Sequence, residues 1–174
     1  MKYPWFLMFN VSLLMLDSAG ATSFGRRELG VVTSIDNRPS ICLPEYAEKS
    51  FLVGWVSLTE SYRRNPSYWG ASLLPGFKPV ELKPGACMVF GEVPEGYELD
   101  NKKTNTPLLV LEVNKTYVFS LVNAYRPVDS YDAVFCISKT AEGEDEYLQY
   151  IQRADGVEVI PSCGLTRRAS GQLD

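Results

Sequence analysis

Short apolar runs separated by turn-forming residues are the feature that most constrains the fold of this 174-residue chain. The longest run, residues 51–59 (FLVGWVSLT), combines aromatic and β-branched residues, a composition that favours a strand. No segment keeps the 3.6-residue apolar period of an amphipathic helix, although a helix competes at residues 146–153. Roughly eight or more short strands, spaced by about 8–12 residues, predict an all-β protein. We expect an immunoglobulin-like β-sandwich, with a small β-barrel as the alternative.

The run at residues 51–59 also predicts how the two faces of its strand are covered. In a straight strand, alternate side chains point to opposite faces of the sheet. One face would carry Phe51, Val53, Trp55 and Ser57, and the other Leu52, Val56 and Leu58. Because both sets are largely apolar, we expect a central strand that is covered on both faces.

Turn residues predict how the strands are connected. A turn at residues 36–39 follows the run 29–35, and a turn at residues 83–85 joins the pair 80–82 and 87–90. Asn114 and Lys115 predict a tight hairpin, because Asn tolerates the positive φ that such turns need. The two predicted hairpins join 107–113 to 116–123, and 131–138 to 146–152; a last strand follows at 157–160.

The N-terminus has the pattern of a secretory signal peptide. Lys2 precedes an apolar stretch at residues 3–16, and Ala19-Gly20-Ala21 supplies the small residues of a cleavage site. We expect residues 1–21 to be removed after Ala21, although a buried N-terminal helix or strand is the alternative. The apolar stretch is shorter than the ~20 residues that span a bilayer. The predicted product is an exported protein, periplasmic or secreted, with no membrane span, in which one β-sandwich domain (22–165) precedes a flexible tail (166–174).

Cysteine spacing agrees with export. Cys42, Cys87, Cys136 and Cys163 form no C-x-x-C pair, the close spacing that most zinc sites use. Four widely spaced cysteines in an oxidising compartment more often form two disulfides, with buried thiols as the alternative. Three pairings are possible, and spacing alone does not choose among them. We favour Cys42–Cys87 with Cys136–Cys163, since each bridge joins consecutive segments and neither crosses the other.

Charge and the lack of histidine argue against several functions. With 17 Lys and Arg against 21 Asp and Glu, the net charge is −4, which disfavours nucleic acid as a partner. The chain has no histidine, so His-dependent nucleophiles and His-ligated metals are excluded. We therefore expect no catalysis, no cofactor and no metal site. The acidic groups that an enzyme would need are interpreted as solvated loop residues: Glu142, Glu144, Asp145 and Glu146, and Glu92, Glu95 and Glu98.

Two stretches are instead typical of protein-binding surfaces, which are rich in Tyr, Trp and Arg. They are residues 61–69 and 124–131, and in a sandwich such loops gather at one end. We expect them to form one contact surface; the alternative is that the aromatic side chains only cap the core. The candidate partner-binding residues are Tyr62, Arg63, Arg64, Tyr68, Trp69, Tyr125 and Arg126.

Several short motifs carry a resemblance to a known family. They are Ile41-Cys42-Leu43-Pro44, residues 82–87 (LKPGAC) with Phe90-Gly91, and residues 111–118 (LEVNKTYV). Over residues 40–138 the chain resembles a family of small periplasmic immunity proteins that are associated with type VI secretion and are often lipoproteins. The chain departs from that pattern in lacking a lipidation cysteine and in carrying Cys136 and Cys163.

The resemblance implies a stoichiometric inhibitor that binds a toxin delivered to the periplasm, with no catalytic residues. Two other functions remain open from the sequence. One is an accessory or adhesion module that binds components of the cell envelope, and the other is a carboxylate-dependent glycan hydrolase. The oligomeric state is not predicted.

Overall fold

The computed structural model describes residues 25–61, 63–100, 108–152, 158–159 and 163, and within these ranges it contains β-strands and no helix. The predicted signal peptide, the predicted tail and Tyr62 lie outside the described residues. The strands are β1 (Arg27–Leu29), β2 (Val31–Ile35), β3 (Arg38–Cys42), β4 (Phe51–Glu60), β5 (Tyr68–Leu73), β6 (Val80–Leu82), β7 (Cys87–Val89), β8 (Tyr97–Leu99), β9 (Thr116–Asn123), β10 (Ser130–Lys139), β11 (Asp145–Gln149), β12 (Ile151–Gln152) and β13 (Glu158–Val159).

Two principal sheets form a β-sandwich. The eight-stranded sheet has the order β1-β10-β9-β4-β5-β8, with β11 also paired to β10 and β6 also paired to β4. The three-stranded sheet has the order β2-β3-β7, and β12 pairs with β13. Within these ranges neither sheet closes on itself, so the predicted sandwich is confirmed and the barrel alternative is not formed.

The core lies between the two principal sheets. The three-stranded sheet and its flanking loop contribute Ile41 and Leu43, and the large sheet contributes the inward side chains of β4, β9 and β10. Among the fully buried side chains from the large sheet are Val56, Leu58, Tyr117, Phe119, Leu121, Phe135 and Ile137. Burial of this contiguous apolar set is the main force that holds the sheets together.

Both disulfides have the pairing that we favoured. Cys42 and Cys87 lie opposite each other on β3 and β7, with Cα atoms 3.9 Å apart. Cys136 of β10 is bonded to Cys163, with Cα atoms 6.0 Å apart. The first bridge closes a loop of 45 positions, and the second closes a loop of 27. In the chain-entropy model, closing loops of this length stabilises the fold by roughly 4 kcal/mol per bridge.

A hydrogen-bonded tyrosine fixes the turn that leads into β9. The Tyr117 hydroxyl accepts a hydrogen bond from the Glu112 amide (2.8 Å) and donates one to the Glu112 carbonyl (3.3 Å). Asn114, between them, has the positive φ (64°) that the sequence predicted for the turn. A tyrosine bonded back to the backbone a few residues upstream is a recurring corner of immunoglobulin-like sandwiches.

Two of the predicted connections are confirmed. Asp36 and Asn37 form the tight turn between β2 and β3. Both have positive φ (49° and 58°), as a two-residue hairpin turn of type I′ requires. The turn is shorter than expected, because Arg38 and Pro39 already belong to β3. The hairpin of β10 and β11 also forms, with Gly143 (φ 87°) in its loop.

Two other predicted pairs are wrong. Residues 109–113 form no strand, and Leu108 makes only an isolated bridge to Tyr68. The reason is that β4 and β10 occupy both edges of β9, so no edge is left for the preceding segment. The second error concerns β6 and β7, which do not pair with each other. Strand β6 joins β4 in the large sheet, and β7 joins β3 in the small one.

The run at residues 29–35 is likewise not one strand. Gly30 separates β1, in the large sheet, from β2, in the small one. The Gly30 amide donates to the Asp132 carbonyl (3.0 Å), and the Gly30 carbonyl accepts from the Gln149 side chain (2.7 Å). The chain therefore changes sheets at a residue whose polar groups are both satisfied.

A bulge in β4 reverses the predicted direction of Trp55. The pairing of β4 with β9 shifts register between Val53 and Trp55, at Gly54. Val53 and Val56 are therefore both buried in the core, and Trp55 points to the opposite face. The sequence predicts that both faces of β4 are covered, but Trp55, on the face away from the core, is only partly buried. A β-bulge bends the strand and redirects the side chains that follow it.

Candidate functional site

The two stretches predicted to bind a partner lie at opposite ends of the large sheet. The first follows the end of β4, where the Ser61 amide donates to the Thr116 carbonyl (2.8 Å). The second follows the end of β9, where the Ala124 amide donates to the Leu52 carbonyl (2.9 Å). A ten-residue strand separates them by roughly 30 Å, so they do not form one surface. That prediction is wrong, because β4 and β9 are antiparallel neighbours, so the loops that follow them leave the sheet at opposite ends.

Residues 61–69 are also only partly a loop. Tyr68 and Trp69 begin β5, and Trp69 is 3% exposed. Its indole packs edge-on against Phe90 (5.3 Å between ring centroids) and Phe119 (6.4 Å). Trp69 is therefore a core residue, and we withdraw it as a partner contact.

Both arginines in this stretch are exposed. Arg63 forms a salt bridge to Glu60 (3.5 Å), and Arg64 is exposed beside it. Tyr62 lies outside the described residues.

The second stretch borders a groove. Asn123 accepts hydrogen bonds from the Tyr125 and Arg126 amides (2.9 and 3.0 Å), which shapes the loop between β9 and β10. Tyr125 is 70% exposed, and Arg126 pairs with Asp129 (3.1 Å).

The face of the large sheet that points away from the core, which we call the open face, carries two adjacent rows of side chains. Strand register aligns the residues of each row across β1, β10, β9, β4 and β5. The first row is Arg27, Ser130, Val122, Trp55 and Ser72. The second row is Leu29, Asp132, Ser120, Ser57 and Gly70. The groove described next lies over part of both rows: it is lined by Arg27, Ser130, Val122 and Trp55 of the first row and by Asp132 and Ser120 of the second.

The groove on the open face has a volume of about 590 Å³. Its polar and charged lining comes from Arg27, Ser120, Ser130 and Asp132, and its apolar side chains include Trp55 and Val128. The described residues that line it are Gly25, Arg27, Trp55, Ser120, Val122, Pro127, Val128, Ser130 and Asp132. Polar groups beside an aromatic wall in a concave site are typical of ligand and partner recognition.

Hydrogen bonds to one carboxylate hold Trp55 in place. The Trp55 indole N–H donates to Asp100 Oδ2 (2.6 Å), and the Tyr68 hydroxyl donates to the same oxygen. Ser72 donates to the other oxygen, Oδ1. Burial, reinforced by the hydrogen bond to Asp100, raises the pKa of Tyr68. We call these four residues the Asp100 cluster; it orients the indole that walls the groove.

The site residues predicted from the sequence do not include Trp55, Asp100, Ser120 and Asp132. Trp55 was assigned to the same face as Val53, although a glycine inside a strand pattern can mark a bulge. Ser120 and Asp132 interrupt otherwise apolar strands at alternate positions, the pattern of a half-exposed face. Nothing local to Asp100 distinguished it from other loop acids.

The groove lining includes none of the acidic groups that were interpreted as solvated loop residues. Glu142, Glu144, Asp145 and Glu146 are exposed in or beside the β10–β11 turn, and Asp145 pairs with Lys139 (2.8 Å). Glu98 lies in β8 rather than in a loop, which corrects that assignment. Among the described residues there is no group of three or more side chains arranged to hold a metal ion.

Comparisons with protein-family models, with curated proteins and with solved structures give no match. In the part of the chain that the structure describes, no helix is long and apolar enough to cross a membrane.

Proposed function

We propose that this chain is an exported immunity protein, which binds a toxin delivered to the periplasm and blocks its activity. The observation that carries the proposal is the groove on the open face, where the Asp100 cluster holds Trp55 before any partner arrives. A side chain that is already ordered loses little conformational entropy on binding, which favours tight complexes. Trp is also a residue type that dominates binding energy at protein interfaces.

Three further features support the same function. The sequence resembles periplasmic immunity proteins over residues 40–138. Two disulfides stiffen the sandwich, as suits a protein that works in an oxidising compartment. The net charge of −4 favours encounter with a basic partner by electrostatic steering.

The test begins with capture of the partner. The exported protein, immobilised and exposed to a lysate of its source organism, is expected to retain one protein at about a 1:1 ratio. That protein should be a toxic enzyme, and its purified activity should fall to zero at one equivalent of the immunity protein. Capture of a range of envelope proteins, or no inhibition, would contradict the proposal and favour an envelope accessory module.

Two variants then locate the contact surface. Trp55→Ala removes the groove wall and is expected to weaken toxin binding by roughly a hundredfold, as for a central aromatic anchor. Arg64→Ala changes an exposed residue at the other end of the sheet and should leave affinity within about twofold. The reverse result would move the contact surface to the stretch at residues 61–69.

A further inference from the structure

We propose that the groove on the open face receives an arginine side chain of the toxin, with Asp132 as the group that pairs with its charge. This inference rests on the proposed function and names the chemistry of the partner at that site. Its three parts are a carboxylate on the floor, apolar walls and the size of the groove.

The floor of the groove presents a carboxylate that has no cationic partner within the described residues. Asp132 accepts one hydrogen bond, from the Ser130 hydroxyl (2.7 Å), and it is partly buried. Ser120 lies directly beside it in strand register. A guanidinium that reached this floor would find one charged acceptor and two hydroxyls, and charge-assisted hydrogen bonds are the stronger kind.

The walls fit the rest of an arginine side chain. Trp55 and Val122 stand on one side, and Val128, which is 52% exposed, stands in the loop on another. The aliphatic stem of arginine packs well along such apolar surface while its head reaches a polar group. The guanidinium also stacks favourably on tryptophan.

Among the described residues that line the groove, Arg27 is the one cation, and it forms no salt bridge with Asp132. It aligns with Ser130 in the first row, whereas Asp132 lies two residues further along β10. Arg27 is exposed, so water and salt screen its charge more than they screen the partly buried Asp132. An acidic residue of the toxin beside the inserted arginine would pair with Arg27.

The volume of about 590 Å³ is within the range of ligand-binding clefts, and the groove is open to solvent, so a side chain and part of the loop that carries it have room to enter. The inserted arginine is therefore expected on a protruding loop of the toxin rather than on a flat surface.

A peptide probe tests the chemistry without the toxin. We would titrate the exported, isotope-labelled protein with acetyl-Gly-Arg-Gly-amide and follow the Trp55 indole and the Ser120 and Asp132 amides by NMR. Saturable shifts are expected, with affinity at least roughly tenfold weaker for the uncharged citrulline peptide and for Asp132→Asn. Absence of saturable shifts, equal binding of the two peptides, or an unaffected Asp132→Asn variant would overturn the inference.

The captured toxin provides the second test. Asp132→Asn keeps an acceptor for Ser130 and is expected to weaken toxin binding by roughly 10- to 100-fold. Glu142→Gln removes a charge of the same sign in the distant β10–β11 turn, and should change affinity less than about twofold. Equal affinities of the two variants would overturn the arginine inference while leaving the immunity function standing. If no toxin is inhibited, the proposed function fails, and the peptide titration alone decides the chemistry of the groove.

Discussion

At Gly70 the lack of a side chain determines the geometry of the Asp100 cluster. A Cβ at this position would lie 2.1 Å from the Tyr68 hydroxyl oxygen and 2.6 Å from Cζ of the same ring. The Tyr68 ring therefore lies across Gly70, and this brings its hydroxyl to Asp100. A glycine covered by an aromatic ring from the same sheet recurs in β proteins.

Gly70→Ala is expected to destabilise the fold by about 1–3 kcal/mol, because Tyr68 must leave its position and give up its bond to Asp100. Urea unfolding measures this change. The control is the double variant Tyr68→Ala/Gly70→Ala, in which the added methyl group should cost less than it does beside tyrosine. Equal costs in both backgrounds would show that Tyr68 is not what Gly70 accommodates.

Partly or fully buried tyrosines make the protein sensitive to alkaline pH. Burial raises the pKa of Tyr68, Tyr97 and Tyr117, and it raises the pKa of Tyr131 to about 12. Above a pH of about 10 the unfolded chain releases phenolic protons that the folded chain keeps. The buried tyrosines therefore contribute their full stabilisation below that pH, and the free energy of unfolding falls as the pH rises toward 12.

Tyr68→Phe removes one of these phenols, so its stability should fall less steeply between pH 10 and pH 12 than that of the wild type. Urea titrations at a series of pH values give the two slopes. Tyr46→Phe is the matched control, since its ring is 80% exposed in the folded protein. If Tyr68→Phe and the wild type show the same slope, Tyr68 is not protected from ionisation.

At the scale of the element, two irregularities position the open face. The bulge at Gly54 turns Trp55 away from the core, and the corner at Tyr117 fixes where β9 begins. Together they set which side chains of β4 and β9 meet in each row. Gly54 also permits close packing, since a Cβ there would lie 2.5 Å from Ala124 Cα.

Tyr117→Phe is expected to cost about 1–3 kcal/mol, because it leaves the Glu112 amide without its acceptor. Denaturant unfolding would measure the loss. Tyr125→Phe removes the same hydroxyl from a ring that is 70% exposed, and should leave stability unchanged within about 0.5 kcal/mol. A loss no larger in Tyr117→Phe than in Tyr125→Phe would mean that the corner does not stabilise the turn.

At the scale of the whole molecule, the sandwich places the core and the proposed binding groove on opposite faces of the large sheet. One side of the large sheet is packed into the core, and the other side carries the groove. One disulfide lies on the small sheet and the other is attached to β10. The binding that we propose at the open face would therefore need no rearrangement of the core, as in most preorganised complexes.

The net charge of −4 leads to a kinetic prediction for the complex that we propose with a toxin. Raising salt from about 50 to 500 mM should slow association several-fold, because it screens attraction between an acidic protein and a basic toxin. The dissociation rate should change much less, since it depends on short-range contacts. Stopped-flow mixing gives both rates, and an association rate that does not change with salt would exclude electrostatic steering.

Local sequence patterns determined the fold class and several turns. Strand composition and turn residues predicted an all-β sandwich, and the positive φ values at Asp36, Asn37 and Asn114 lie at predicted turns. Cysteine order led us to favour both disulfides correctly. These features depend on residues close in the chain or on simple connectivity, so they can be predicted without knowing which strands pair.

Only the tertiary structure decided which strands pair and which surface they build. The segment at residues 109–113 looks like a strand, but β4 and β10 occupy both edges of β9. Trp69, predicted to be a partner contact, is in the core, whereas Trp55 lines the groove. Pairing, bulges and burial join residues far apart in the chain, and no local preference determines their register. The groove, which combines side chains from β1, β4, β9 and β10, exists only as a result of that pairing.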